Sequence, residues 1–132
     1  MDDLRVERIL RAVECVPTGR VATYGLIGRI VGESPRVVGN VLARWGSSVP
    51  WWRVVNAQGV IPGHGGEAYD HWVREDLLDL ATARPDRSGA GGVVRVRVRT
   101  LLAEESCLRL AWARAIKNLD DEGPADPGTA AG

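Results

Sequence analysis

The sequence predicts a mainly α-helical domain with a small β-hairpin, organised around a helix-turn-helix. Apolar residues recur at helical spacing in several separate stretches, and two of the predicted helices are joined by a tight glycine turn. Two short β-branched runs also flank an Asn-containing turn, which is the pattern of a hairpin. At 132 residues the chain has room for one domain with a real core.

The elements follow in order. Leu4, Val6, Ile9, Leu10 and Val13 share one face, so residues 3–15 read as a helix, broken by Pro17-Thr18-Gly19. Thr23 is placed to cap a short second helix through Val31, which stops at Gly32. Ser34 or Pro35 starts a third, reaching about Trp45, with Val37, Val38, Val41 and Leu42 as its buried side. After a loop at 46–48, the run 49–55 and Val60-Ile61 flank the turn 56–59 and read as the hairpin. Residues 62–67 form a glycine-rich loop, 68–82 a helix and 83–92 a polar, glycine-rich linker. Val94, Val96 and Val98 alternate with Arg95, Arg97 and Arg99, the period of a half-buried strand or extended lead-in with solvent-facing charges. Residues 100–118 close the domain as a helix carrying Leu101, Leu102, Leu108, Leu110 and Trp112. Beyond it, Gly, Pro, Ala and Asp predict a disordered acidic tail over 119–132, leaving 1–118 as the folded domain.

Composition narrows the function classes. No apolar run approaches bilayer length, and the acidic, amphipathic start MDDLRVERIL is not a secretory signal. A cytoplasmic protein without a membrane partner is expected, and a monomer. Cys15 and Cys107 are the only cysteines, too few for a disulfide framework or a thiolate zinc cage, so neither metal nor cofactor is expected. The formal net charge of zero hides an asymmetry. Between residues 17 and 61 stand Arg20, Arg29, Arg36, Arg44 and Arg53 against Glu33 alone, whereas the tail carries Asp120, Asp121, Glu122 and Asp126. A basic centre suits a polyanionic partner.

Four pieces then stand in sequence: Val16-Pro17-x-Gly19-x-Val21-x-Thr23-Tyr24-Gly25, Arg36-x-Val38-Gly39, Pro50-Trp51-Trp52-Arg53-Val54-Val55, and Gly59. Together they resemble the DNA-binding domain of the O6-alkylguanine-DNA alkyltransferases. The resemblance implies a winged helix-turn-helix-like DNA-binding domain, with 62–92 as an insertion and Leu101-Leu102-Ala103-Glu104-Glu105 as the family's closing LL-x-x-E segment. The family's central motif is Pro-Cys-His-Arg, in which the cysteine takes the alkyl group, the histidine relays a proton and a glutamate orients the histidine. Trp51 stands at the cysteine position and Trp52 at the histidine position. Indole offers no lone pair for attack and no base near neutral pH. Glu105 is then left as the family glutamate with no histidine to orient. This substitution resembles the alkyltransferase-like proteins, non-catalytic relatives that bind O6-alkylguanine in duplex DNA, rotate the base into the old pocket and flag the site for the damage-recognition proteins of nucleotide excision repair. Most of them read Pro-Trp-His-Arg, so the second tryptophan is a departure.

The resemblance also assigns roles. Arg36 is the intercalating arginine that fills the stack, although a solvated helix-start arginine is the plainer alternative. Tyr24 crowds the phosphate beside the target nucleotide, or belongs to the core. Gly39 and Ala43 let the third helix approach the DNA backbone, unless Gly39 only relieves helix crowding, and Arg44 reaches a phosphate or is solvated. Trp51 and Trp52 line the lesion pocket, supported by Arg53. Trp45 and Trp112 read as core, and His64 and His71 as surface residues. A DNA-lesion sensor acting on the nucleoid is the leading expectation. A helix-turn-helix transcription regulator is the alternative, and it needs base-reading side chains that the third helix supplies only at Asn40. An alkyltransferase using Cys15 or Cys107 is the third, disfavoured because neither cysteine sits in a motif with a histidine.

Overall fold

Thr23 and Ser34 set the two helices around which the other elements pack. In the computed structural model, which describes residues 3–79 and 94–121, the Thr23 side chain accepts from the Leu26 N–H and caps helix α2, Tyr24–Val31. Ser34 does the same for Val37 and opens α3, Pro35–Trp45, with Pro35 in the first turn, where a missing N–H costs nothing. Between them Gly32 takes φ 79°, which turns the chain sharply. Helix α1, Asp3–Glu14, lies across this pair and buries Val6, Ile9, Leu10 and Val13, as the spacing predicts, but Leu4, expected on the same face, is exposed at the helix start.

The strand pair differs from the expected hairpin. Val54–Val55 (β2) pairs in parallel with Ala22–Thr23 (β1), Ala22 opposite Val54 and Thr23 opposite Val55. The predicted turn does form, because the Asn56 carboxamide oxygen accepts from the N–H groups of Gln58 and Val60. A backbone bond closes it, from the Asn56 N–H to the Val60 carbonyl, but Val60-Ile61 forms no strand beside Val54–Val55. Val54 and Val55 are both fully buried, each facing a different core, and a two-stranded hairpin on the surface would leave one of them in water.

Those two cores lie on either side of the strand pair. One is formed by α1, α2, α3 and the last helix around Ile9, Val13, Leu26, Ile27, Val38 and Val41, and it takes Ala22 and Val54. The other takes Val21 and Val55 and is filled by Ile61, Ala68, Trp72, Leu77, Leu78 and Val96. Residues 62–79, within the segment read from sequence as an insertion, thus provide half of the second core. Helix α4 spans Gly65–Arg74, earlier than the expected 68–82, and stops where Asp76 adopts φ 58° and the Leu77 N–H returns to the Trp72 carbonyl. Leu78 then bridges antiparallel to Val96, so the alternating Val-Arg segment is extended as far as Arg97.

The closing helix is also interrupted. Val98–Leu101 (α5) and Glu105–Asp121 (α6) are separate, because the Val21 N–H donates to the Leu101 carbonyl and the Ala103 N–H to the Val21 carbonyl. Those bonds use groups that a continuous helix would need. Leu108 is buried, Leu110 is exposed, and Trp112 packs half-buried with its indole N–H on the Arg8 carbonyl. Trp45, expected in the core, is 39% exposed at the end of α3. The predicted linker 83–92, the last residues of the predicted 68–82 helix and the tail beyond 121 lie outside the described residues; 119–121 continue α6.

Gly59 tests the closure of the second core. It has φ 83°, and a Cβ there would stand 2.5 Å from the Val96 carbonyl oxygen, whose segment pairs with Gly59 through the Val96 N–H. Gly59→Ala should therefore cost about 2–4 kcal/mol from positive-φ strain and displacement of that segment. Thermal or urea unfolding measures it, and a loss under about 0.5 kcal/mol would show that the 94–97 segment is free to move away.

Candidate nucleic-acid interface

The Pro50–Arg53 segment is wound as one 3-10 turn over Trp51–Arg53, so its three side chains leave in different directions. Arg53 goes inward. Its Nε and Nη2 donate to the two carboxylate oxygens of Glu75 at 2.9 and 2.8 Å. Nη1 reaches the Val16 carbonyl and Nη2 also the Thr18 hydroxyl, both at 2.9 Å. The pair is nearly buried, with side chains 13% and 9% exposed. Glu75 further accepts from the Trp52 indole N–H at 2.8 Å and the Gly19 backbone N–H at 3.2 Å. Burial alone would raise the Glu75 pKa, but the hydrogen bonds from Arg53, Trp52 and Gly19, with the arginine charge, outweigh it and hold the carboxyl below its ordinary value.

Trp52 is therefore turned away from the pocket it was expected to line. Its ring stacks on His71, centroids 3.8 Å apart and planes 8° from parallel, and the Arg53 guanidinium carbon lies 5.5 Å from the Trp52 ring centre. Trp72, beneath it, donates to the Trp52 carbonyl at 2.8 Å. His71 is thus a packing partner and not the surface residue that a lone histidine suggests. Glu105, read from sequence as the carboxylate facing residue 52, is instead on α6, paired with Arg29 at 3.1 Å and Arg109 at 2.7 Å. Glu75 holds the place assigned to it. The sequence signal was a glutamate at the end of an amphipathic stretch, Trp72-Val73-Arg74-Glu75-Asp76, but helical periodicity runs on through it.

Trp51 meets the Trp52 ring edge to face, centroids 6.0 Å apart, and lines an open pocket of about 500 Å3. One wall is the helix-turn-helix: Tyr24 from α2, and Arg36, Gly39, Asn40 and Ala43 from a single face of α3. Leu42, Gly46 and Ser47 continue that wall, while the opposite one is Ile61, Pro62, His64 and Glu67. The sequence reading missed this second wall, although the i,i+3 spacing of His64 and Glu67 at a helix start was visible; their side chains meet at 2.6 Å. A Cβ on Gly39 would meet only Tyr24 Cε1, at 4.0 Å, so helix crowding is not why position 39 is small. Tyr24 is shared: it packs against the first core and lines the pocket, and burial pushes its hydroxyl pKa up. Arg36 is exposed at the pocket edge. Arg44 is exposed outside the pocket with its guanidinium 5.9 Å from the Trp45 ring centre.

The cysteines lie elsewhere. Cys15 and Cys107 line a separate cavity beside α6. Burial and then Glu14 raise the Cys15 pKa, and the neighbouring Glu104 carboxylate raises that of Cys107. Both shifts move away from the thiolate that nucleophilic attack needs. Of the arginine run, Arg95 braces the Gln58 carbonyl and Arg97 the Asp76 carbonyl. Among the described residues no group of three or more His, Cys, Asp or Glu is placed to hold a metal ion, and no helix is long and apolar enough to cross a membrane.

A capped helix-turn-helix joined to a tryptophan-floored pocket by a buried arginine–glutamate clamp defines a DNA-binding domain of the alkyltransferase type. The family model of the 6-O-methylguanine DNA methyltransferase DNA-binding domain matches residues 5–81, and the chain belongs to that family. It is 43% identical over 64 residues to a DNA base-flipping protein of Escherichia coli, covering 46% of this chain and 50% of that one. A DNA base-flipping protein of Thermus thermophilus is 40% identical over 62 residues, covering 46% and 42%. The chain spans about half the length of the E. coli relative it matches. In fold it is similar to S. pombe Atl1, solved in complex with damaged DNA containing O6-carboxymethylguanine, with a TM-score of 0.63 at 24% identity over 79% of this chain and 98% of Atl1.

Removing the clamp should be costly. Glu75→Gln leaves Arg53 nearly buried without a counter-charge, a loss of about 3 kcal/mol. Because the folded-state pKa of Glu75 is depressed, its charge stabilises the fold above the ordinary carboxylate pKa, and that contribution is lost as pH falls through the folded value. The melting-temperature gap between wild type and Glu75→Gln should thus narrow in acid, and a gap constant from neutral pH down to the acid transition would contradict the assignment.

Proposed function

We propose that this protein is a non-enzymatic sensor of O6-alkylguanine in duplex DNA. The rotated base occupies the pocket against Trp51 while Arg36 takes its place in the stack, and the alkyl group stays where it is. The observation that carries this reading is the pocket itself, which Trp51 lines together with Arg36 and Tyr24. Extruding a base costs a few kcal/mol, and stacking it on an aromatic ring returns about 1–3 kcal/mol. Arg36 offsets part of the remainder by closing the gap. The pocket-facing side of α3 has small residues at Gly39 and Ala43 and one base-reading amide, Asn40. That suits close contact with a DNA backbone in the minor groove better than sequence readout in the major groove.

The names of the relatives and the complex of Atl1 with damaged DNA support lesion binding as the activity. With no chemistry of its own, the complex acts as a flag, and the nucleotide excision repair proteins that recognise damage are the partners proposed for it. The site of action is the cytoplasm, on the nucleoid.

Duplexes with and without a single O6-methylguanine test the reading directly. The lesion should bind at least about tenfold tighter, a difference of about 1.4 kcal/mol. Arg36→Ala should weaken lesion duplex much more than a single strand carrying the same base, because a single strand has less stack to repair. Equal losses on both would reduce Arg36 to a phosphate contact.

Catalytic silence has its own test. The wild-type protein and Trp51→Cys alone should gain no mass from O6-benzylguanine, since a thiol of pKa about 8.5 without a nearby base is mostly protonated. Trp51→Cys with Trp52→His should gain a benzyl group slowly, and adding Glu75→Gln should slow it further, because the Glu75 carboxylate already bonds side chain 52. Full activity in Trp51→Cys alone would show that residue 52 is not the relay position.

A further inference from the structure

The pocket wall opposite α3 carries a hydrogen-bonded His64–Glu67 pair. Glu67, in the first turn of α4, is held by the His64 ring through Glu67 Oε1 at 2.6 Å. Its other carboxylate oxygen has no partner among the described residues, and the side chain is 69% exposed, so it is available to a ligand. The pocket volume of about 500 Å3 falls within the ~300–1,000 Å3 that accommodates drug-sized ligands, and far exceeds a methylated purine. A base seated on Trp51 therefore leaves room for a longer O6 substituent, with the far wall as its natural limit.

We propose that Glu67, positioned by His64, is the specificity determinant of the pocket, favouring O6 substituents that end in a hydrogen-bond donor or a positive charge and disfavouring those that end in a carboxylate. This rests on the lesion-binding reading above. The charged or titratable groups facing the pocket are Tyr24, Arg36, His64 and Glu67. Arg36 is committed to the duplex stack when a base is rotated, and the Tyr24 hydroxyl is neutral, its pKa raised. Among the described residues lining the pocket, Glu67 is then the one acidic side chain facing the substituent. Its field is weak in water but strengthens when DNA closes the pocket and excludes solvent. Glu67 also repels the phosphate backbone, but that cost is common to every adduct and cancels in a comparison between them.

The test uses the full chain and duplexes carrying one O6-(2-aminoethyl)guanine, O6-propylguanine, O6-carboxymethylguanine or unmodified guanine, with Kd read by fluorescence anisotropy at one salt concentration. The aminoethyl adduct should bind about tenfold tighter than the carboxymethyl adduct, the propyl adduct falling between. Glu67→Gln keeps the shape and the helix start, and should shrink the ratio to about twofold or less. Carboxymethyl binding as tight as aminoethyl, or a ratio that Glu67→Gln leaves unchanged, overturns the proposal. If no adduct binds better than unmodified guanine, the lesion-sensor reading itself falls, and this falls with it.

Discussion

Arg53 and Glu75 meet in a two-pronged ion pair that joins three parts of the chain. The guanidinium also reaches Val16 and Thr18 in the loop after α1, and the carboxylate receives Gly19 from that loop and Trp52 from the 3-10 turn. Taking two charges out of water is expensive, and it is tolerated here because the charged donors and acceptors find several partners each. The geometry of the site follows from that constraint. With Arg53 and Trp52 both committed to Glu75, the short 3-10 turn leaves Trp51 facing the helix-turn-helix across an open pocket. A clamp of this kind fixes orientation more than it adds stability.

The pocket lies at the seam between two cores. Tyr24 belongs to the first and Ile61 to the second, and Trp51 packs against the second while facing the first. Neither half makes the pocket alone: α2 and α3 supply one wall, while the 61–67 segment shapes the other. The pair of parallel strands, only two residues each, holds the halves in register through Ala22 opposite Val54 and Thr23 opposite Val55. Alternation of side chains along those strands sends Ala22 and Val54 to one core, and Val21 and Val55 to the other.

Tryptophan serves a different purpose at each neighbouring position. Trp51 offers a face to the pocket, Trp52 a ring to His71 and an N–H to Glu75, and Trp72 a filled core with its N–H on the Trp52 carbonyl. The Trp52 indole N–H thus ties position 52 to the Glu75 carboxylate, which Arg53 and Gly19 also hold.

By itself the sequence determined the helices and their caps, from Thr23 and Ser34 with the apolar periodicity of α1, α2 and α3, because those signals act within one or two helical turns. It also set Trp51 and Trp52 side by side in the Pro50–Arg53 motif, where neither indole offers a nucleophile or a base. Only the tertiary structure decided how Val54 and Val55 pair, where the closing helix breaks, which carboxylate meets Trp52 and which histidine reaches the pocket. Each of those depends on a partner distant in sequence: Ala22 for Val54, Val21 for Ala103, and Glu75, which lies 23 residues from Trp52. Local periodicity carries no information about such pairings. They are selected by which arrangement buries both valines and pairs Arg53 with Glu75, a condition that exists only once both cores have formed.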